Sequence, residues 1–372
     1  MRILYITDAL AVWGGIERVL SNKMNYLVEH FGYDVYVITT NQGKHVAPYP
    51  LDSRIHARDL NIQFHHQYRY CGLKRILVYT KLNRLFLKRL KAAINEIEPD
   101  LMICIRMEFV GLIRKADKRI PLVYESHSMC NSYLYEKLSL LRRIRQYFDR
   151  RSVNRADCVV SLTNGDADDW RRYNDNVYVI PNLVNFNPLG KHSGLRSKNV
   201  IFVGRFSEQK DVWSLLSIWQ LVHHRHPEWK LNIYGEGALK NNFLEVIKDE
   251  DLNIEVFPPT DEILDRYLEC SLLIMTSRYE PFGLVLPEAM SCGLPVIAFD
   301  CPYGPGAIIS DGHDGFLIGK YSKELFAERI CQLIEDDSLR LYMGTNAVSS
   351  AKRYKSDSVM LQWKQLLERY SC

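Results

Sequence analysis

The feature that most constrains this chain is a strand–helix rhythm that runs once, pauses at a polar stretch and starts again. Short β-rich runs alternate with amphipathic helical segments, which is the pattern of a parallel sheet covered by helices. RILYIT at 2–7 and DVYVITT at 34–40 read as the first two strands. Between them Ile16, Val19, Leu20, Met24, Leu27 and Val28 recur at helical spacing, so one helix face is buried and the unit is βαβ. LMICI, PLVYE, CVVSL and VYVIP continue the first set of strands. NLVNFNPLGKHSGLRSKN at 182–199 is polar and rich in Gly and Asn, and reads as an interdomain linker. NVIFVG, KLNIYG, IEVF, LLIMT and PVIAF then restart the rhythm, so the economical fold class is α/β with two Rossmann-like, doubly wound parallel sheets. DSVMLQWKQLLERY closes the chain as a helix, with Asp357 as N-cap and Val359, Trp363, Leu366 and Leu367 on the face that docks back. The boundaries this gives are 1–182, 183–356 and 357–372.

A length of 372 residues suits two such cores. Asp8 interrupts the N-terminal apolar run before a signal-peptide core forms, and no segment reaches the length of a membrane span, so the expected compartment is the cytoplasm. Nine cysteines without a Cys-x-x-Cys spacing make neither a disulfide framework nor a zinc site. His65-His66 and the histidines at 223, 224 and 226 lack the carboxylate and cysteine partners of a metal motif. Charge is unevenly divided: residues 1–180 carry 28 Lys and Arg against 19 Asp and Glu, or +9, and the remainder carries 20 against 25, or −5. A basic half suits nucleic acid, anionic lipid or a phosphate-bearing acceptor, and its sign does not choose among them.

Three segments carry chemistry. Gly14-Gly15 precede the first helix, where bare backbone lets an anion approach the free amides and the positive end of the helix dipole. The segment lacks the spacing of the dinucleotide fingerprint, which counts against a nicotinamide dehydrogenase. In NVIFVGRFSEQKDV, Arg205 and Lys210 flank a loop between a strand end and a helix. A guanidinium fork and an ammonium point charge together suit a diphosphate. The segment LLIMTSRYEPFGLVLPEAMSCGLPVIAF places Glu280 in a loop and Glu288 in the following helix. Pro287 belongs in that helix's first turn, which makes Phe282, Gly283 and Leu284 candidate amide donors beside a carboxylate. Glu288 is placed to accept from ribose hydroxyls, as acidic residues do in other nucleotide sites.

EPFGLVLPE resembles the Glu-x7-Glu motif of retaining GT-B glycosyltransferases of family 4, a type found in bacterial surface-polysaccharide synthesis. GGIER, IPN at 180–182, VGRFSEQK, YGEG at 234–237 and EAMSCGLPVIA fall in the family's order and spacing, so the resemblance spans nearly the whole chain. It implies an acceptor-binding domain at 1–182, a donor-binding domain at 183–356, and a sugar donor in the cleft between them. Carried to these positions, it implies that Arg205 and Lys210 hold the donor diphosphate, Glu288 the ribose, and Gly15 the phosphates from the opposite domain. Glu280, with the amides of Phe282, Gly283 and Leu284, would grip the transferred sugar, and His127 in VYESHS would face its hydroxymethyl side. The two catalytic candidates are thus Glu280 and His127.

The implied reaction is retaining transfer of a hexose or N-acetylhexosamine from a nucleotide diphosphate sugar to a hydroxyl of a glycan or lipid-linked acceptor, in capsule, O-antigen or lipopolysaccharide synthesis. UDP is the first choice of nucleotide and GDP the second. Neither a cofactor, an essential metal nor a nucleic-acid partner is expected. GDADDW at 165–170 looks like the Asp-x-Asp metal motif of another glycosyltransferase fold, but it opens a helix that Thr163 or Asn164 can cap. Pro258-Pro259 stand where relatives often have a glycine-containing loop near the base, and proline offers no N–H there. Two other classes compete: a non-hydrolysing nucleotide-sugar epimerase of similar architecture, and a non-enzymatic sugar or nucleic-acid binder. Residues 68–91 hold eight Lys and Arg and no acid among apolar side chains, and 137–155 repeat the theme, so both read as basic helices for peripheral contact with an anionic membrane.

Overall fold

The structure is a computed structural model and describes residues 1–135, 139–184 and 190–370. Residues 136–138, 185–189 and 371–372 lie outside the described residues, and with them part of the expected linker, the first two residues of the basic stretch 137–155 and the end of the terminal segment. The chain divides into two compact units, Met1–Leu183 with Val359–Cys372, and Val184–Ser358.

The first unit holds strands β1 (Arg2–Thr7), β2 (Asp34–Thr39), β3 (His56–Asp59), β4 (Leu101–Cys104), β5 (Leu122–Glu125), β6 (Cys158–Ser161) and β7 (Val177–Val179). Its helices are α1 (Gly15–Phe31), α2 (Gly72–Ile97), α3 (Met107–Ala116), α4 (Leu140–Ser152) and α5 (Asn164–Trp170). All seven strands are parallel, in the order β3-β2-β1-β4-β5-β6-β7. Helices cover both faces, so alternate residues of one strand enter different cores. Leu4, Ile6, Met102 and Tyr124 pack with Phe86, Leu90 and Ile94 of α2 and Phe109 of α3. Ile3, Tyr5, Ile103 and Val123 pack with Leu20, Met24 and Leu27 of α1.

The second unit holds β8 (Asn199–Val203), β9 (Lys230–Tyr234), β10 (Ile254–Phe257), β11 (Leu272–Met275), β12 (Val296–Phe299) and β13 (Gly315–Ile318). Its helices are α6 (Val212–Arg225), α7 (Lys240–Ile247), α8 (Ile263–Leu268), α9 (Val285–Ser291), α10 (Gly304–Ile308), α11 (Lys323–Glu335) and α12 (Asp337–Ala351). The sheet is again parallel, ordered β10-β9-β8-β11-β12-β13. The last helix, α13 (Ser356–Tyr370), returns to the first unit, where Val359, Met360, Trp363, Leu366 and Leu367 join the core around α1.

Two strands, β3 and β13, and one helix start differ from the sequence reading. The strand β3 is HARD, polar and partly exposed at the sheet edge, and no apolar run marks it. The basic stretch 68–91 is not one helix: residues 64–69 form a 3-10 turn, Gly72 stands at φ +54°, and α2 runs from there to Ile97. Among the described residues no helix is long and apolar enough to cross a membrane.

Candidate active site

In an open parallel sheet, ligands gather at the carboxyl ends of the strands where the strand order reverses. In the second unit that point lies between β8 and β11. The loops leaving these strands are stitched together: Thr276 Oγ1 donates to Lys210 O (2.9 Å), Arg278 N to Gln209 O (2.8 Å) and Gln209 Nε2 to Tyr279 O (3.2 Å). This brings Lys210 and Glu280 together as a mostly buried ion pair. Ser277 Oγ adds a longer contact to the same carboxylate at 3.4 Å. Arg205 lies exposed on the same loop as Lys210, with Nη2 3.4 Å from Gln209 Oε1.

Glycine lets the neighbouring loop close in. A Cβ on Gly235 would collide with Gly204 O, and Gly237, at φ +153°, lies against the backbone of Phe206. The ladder therefore continues past the strands, through Gly204 N to Tyr234 O (3.0 Å) and Phe206 N to Glu236 O (2.9 Å), and holds the Arg205 turn in place.

The EPFG turn is clamped from the next loop. Glu280 N donates to Pro302 O (2.6 Å), while Glu280 O accepts from Tyr303 N (2.9 Å) and Gly304 N (2.8 Å). Gly283 takes φ +91°, a conformation suited to glycine, and Leu284 then caps α9. Phe282 is buried with its ring edge-on to Tyr354. Glu288 points inward from α9, is 2% exposed, and has Oε2 3.4 Å from the Tyr267 hydroxyl. The carboxylate expected at the ribose is thus a buried group facing a tyrosine.

In the first unit, Gly15 opens α1 behind an extended Gly14 cap. Glu17 folds back over this end, and a Cβ on Gly14 would run into its carboxylate. Burial raises the Glu17 carboxyl, outweighing its own backbone amide and the charges of His127 and Arg106. The amide end of α1 is therefore covered by the chain's own acid.

His127 follows β5 in a buried loop. Its Nε2 lies 3.1 Å from Glu125 Oε1, but off line for a hydrogen bond, so among the described residues neither ring nitrogen has a hydrogen-bonded partner. Glu125 also pairs with the buried Lys23 of α1. The Lys23 ammonium sits 3.9 Å from the Trp363 ring centroid of α13 and 5.2 Å from that of Tyr5. Burial pushes the Glu125 carboxyl up, but Lys23 and His127 overcome it and hold the group at about 2. Burial pulls the Lys23 ammonium down against the lift from Glu125, and the two flanking rings favour its charge. A lysine in register with Val19 and Leu27 on a buried helix stripe is a sequence signal of such a pair, and sequence reasoning passed over it.

The acids of GDADDW lie on α5, which Thr163 caps through its side chain. Asp166 is buried and accepts from Cys130 N (2.7 Å), Ser161 Oγ (2.8 Å) and Trp170 Nε1 (2.9 Å), tying down the loop that carries His127. Asp168 and Asp169 pair with Arg171 and Arg172.

Comparisons with known proteins give this geometry a family. Residues 13–187 match the model of Glycosyltransferase Family 4, and residues 191–349 that of Glycosyl transferases group 1. The amylovoran biosynthesis glycosyltransferase AmsD of Erwinia amylovora is 30% identical over 376 residues, covering 98% of this chain and 99% of that protein. A Campylobacter jejuni alpha-1,4-N-acetyl-D-galactosaminyltransferase acting on an undecaprenol-linked glycan is 24% identical, covering 99% and 98%. In fold, the chain is similar to S. aureus TarM bound to UDP (TM-score 0.79, 17% identity, 98% and 99% covered). It is also similar to Anabaena HepE in complex with UDP and glucose (TM-score 0.75, 19% identity, 98% and 99% covered). With two Rossmann-like units and near full-length matches, this chain belongs to the group 1 glycosyl transferases of the GT-B fold, with a family 4 N-terminal half.

Proposed function

We propose that the chain is a retaining, metal-independent hexosyltransferase. It moves a hexose or N-acetylhexosamine from a nucleotide diphosphate sugar, UDP before GDP, to a hydroxyl of a glycan or lipid-linked acceptor in surface-polysaccharide synthesis. The observation that carries the reading is the meeting of Lys210 and Glu280 at the β8/β11 switch point, with Arg205 exposed beside them. A cation pair and a carboxylate at that edge are what a diphosphate joined to a sugar requires. Relatives named for polysaccharide and lipid-linked glycan synthesis support the acceptor class.

In this reading Arg205 and Lys210 neutralise the departing diphosphate, Glu288 takes the ribose, and Gly15 approaches the phosphates from the first unit. Glu280 and the amides of Phe282, Gly283 and Leu284 hold the sugar, and the imidazole of His127, without a hydrogen-bonded partner among the described residues, takes a hydroxyl on its hydroxymethyl side. The bond from the anomeric carbon to the phosphate oxygen breaks as the acceptor oxygen bonds on the same face. The acceptor's proton passes to the leaving phosphate, and stabilising that anion is the main catalytic task. The basic faces of α2 and α4 bring the enzyme to an anionic membrane, with no nucleic acid involved.

A thermal-shift screen against UDP, GDP, ADP and their sugars tests the donor class. One nucleotide should raise the unfolding temperature in proportion to its saturation, because a ligand bound only to the folded state stabilises it by mass action. No shift with any of them contradicts the reading.

A further inference from the structure

Five side chains from four elements of the first unit converge behind His127: Tyr5 of β1, Lys23 and Glu17 of α1, Glu125 of β5 and Trp363 of α13. The proposed function uses only the histidine. Burying a charged pair costs stability unless its geometry supplies something in return. Here the carboxylate has two oxygens with different tasks. One holds Lys23, which the Trp363 ring covers on another side, and the other lies 3.1 Å from His127 Nε2.

We propose that Glu125 is a positioning residue for His127. Fixed by Lys23, its carboxylate keeps the imidazole proton on Nε2 and leaves the Nδ1 lone pair to accept from a hydroxyl of the donor sugar. This rests on the reading that His127 meets the donor. An ionised carboxylate accepts and cannot donate, so the nitrogen facing it carries the proton, and in the neutral ring the other nitrogen is the acceptor. Nε2 is already within hydrogen-bond distance of Oε1 and lacks only alignment, and catalytic hydrogen bonds often tighten in this way once substrate is bound. Lys23 prevents the carboxylate from turning away, and the terminal helix, through Trp363, keeps Lys23 over it. The docking of α13 is thereby linked to the orientation of a side chain at the site.

The test uses the full chain and the variants Lys23→Met/Glu125→Gln and His127→Ala. Removing both charges together avoids leaving one of them buried and unpaired, which is the change that unfolds proteins. Imidazole 15N spectra without nucleotide, with His127→Ala for assignment, should show wild-type His127 in the Nε2–H form by about tenfold or more, as expected for a hydrogen bond to a charged group. The double variant should show a mixture, with UDP affinity unchanged. Wild-type His127 carrying its proton on Nδ1, or a tautomer ratio unchanged in the double variant, overturns the proposal. UDP-glucose hydrolysis separates this from the underlying reading. If His127→Ala keeps full kcat, the role of the histidine fails. If it loses kcat while the double variant does not, only the positioning role fails.

Discussion

Glu280 serves two partners, because the carboxylate assigned to the sugar already holds Lys210. Glu280→Gln removes a charge that matters most when charge develops at the anomeric carbon, and it frees Lys210 to keep the diphosphate. We expect kcat to fall about ten- to hundredfold, the value of a hydrogen bond to a charged group, with a smaller change in nucleotide affinity. Glu288→Gln should do the reverse, raising the donor KM and the Kd of the nucleotide diphosphate by a similar factor. Calorimetric titration beside steady-state kinetics separates the two, and full kcat in Glu280→Gln contradicts the assignment. Arg205, Lys210, Glu280 and Glu288 were legible as charged residues beside strand ends and a helix start. Gln209, Arg278, Tyr303 and Gly304 were not, because they act through main-chain and loop contacts between segments about 25 to 70 residues apart, and no local pattern encodes such pairings.

Asp166 makes a second residue-level prediction. Burial raises its carboxyl to about 6, against the pull of three donors. An acid raised in the folded state binds its proton more tightly there than in the unfolded chain. Its contribution is therefore full below the unfolded value near 3.8 and is lost as pH rises through about 6. The difference is worth about 3 kcal/mol. Denaturant unfolding of wild type and Asp166→Asn should show the wild type's advantage shrinking between pH 4 and pH 7. Parallel curves contradict it. Glu125 acts in the opposite direction, its contribution being lost only as pH falls from about 4.5 toward about 2.

At the scale of elements, the first half of α2 and the helix α4 form one surface, joined where the Arg145 guanidinium stacks on the Tyr79 ring and donates to its hydroxyl at 3.2 Å. Leu73, Ile76 and Leu77 are exposed on α2 and Ile144, Tyr147 and Phe148 on α4, among Lys74, Arg75, Lys81, Arg84, Arg142 and Arg143. Exposed apolar side chains within a basic field suit an anionic lipid surface, to which each cation adds about 1 kcal/mol. Purified protein should co-sediment with phosphatidylglycerol-containing vesicles at low salt, and Leu73→Asp/Leu77→Asp should weaken that binding. Absence of binding, or binding indifferent to salt, contradicts the assignment. The sequence showed the charge of these segments but not where α2 starts, because a left-handed Gly72 breaks the run that composition joins. The edge strand β3 escaped for a related reason: HARD has no apolar alternation, and its pairing with β2 supplies the order that its side chains do not.

For the whole molecule, the restart of the rhythm at NVIFVG identified two sheets because fully buried parallel strands read as continuous apolar runs. The terminal helix was legible as amphipathic, yet only the structure shows that its apolar face joins the core of the first unit, so one unit is closed by the far end of the chain. The central claim is transfer from a nucleotide sugar with retention. Incubating the protein with UDP-glucose, UDP-N-acetylglucosamine or GDP-mannose alone and following the anomeric protons by NMR tests it directly, since water then takes the acceptor's place. The account predicts slow release of nucleotide diphosphate from one donor, with the free sugar appearing first in the donor's own anomeric configuration. An epimerised nucleotide sugar formed without release of diphosphate, or the opposite anomer appearing first, contradicts it.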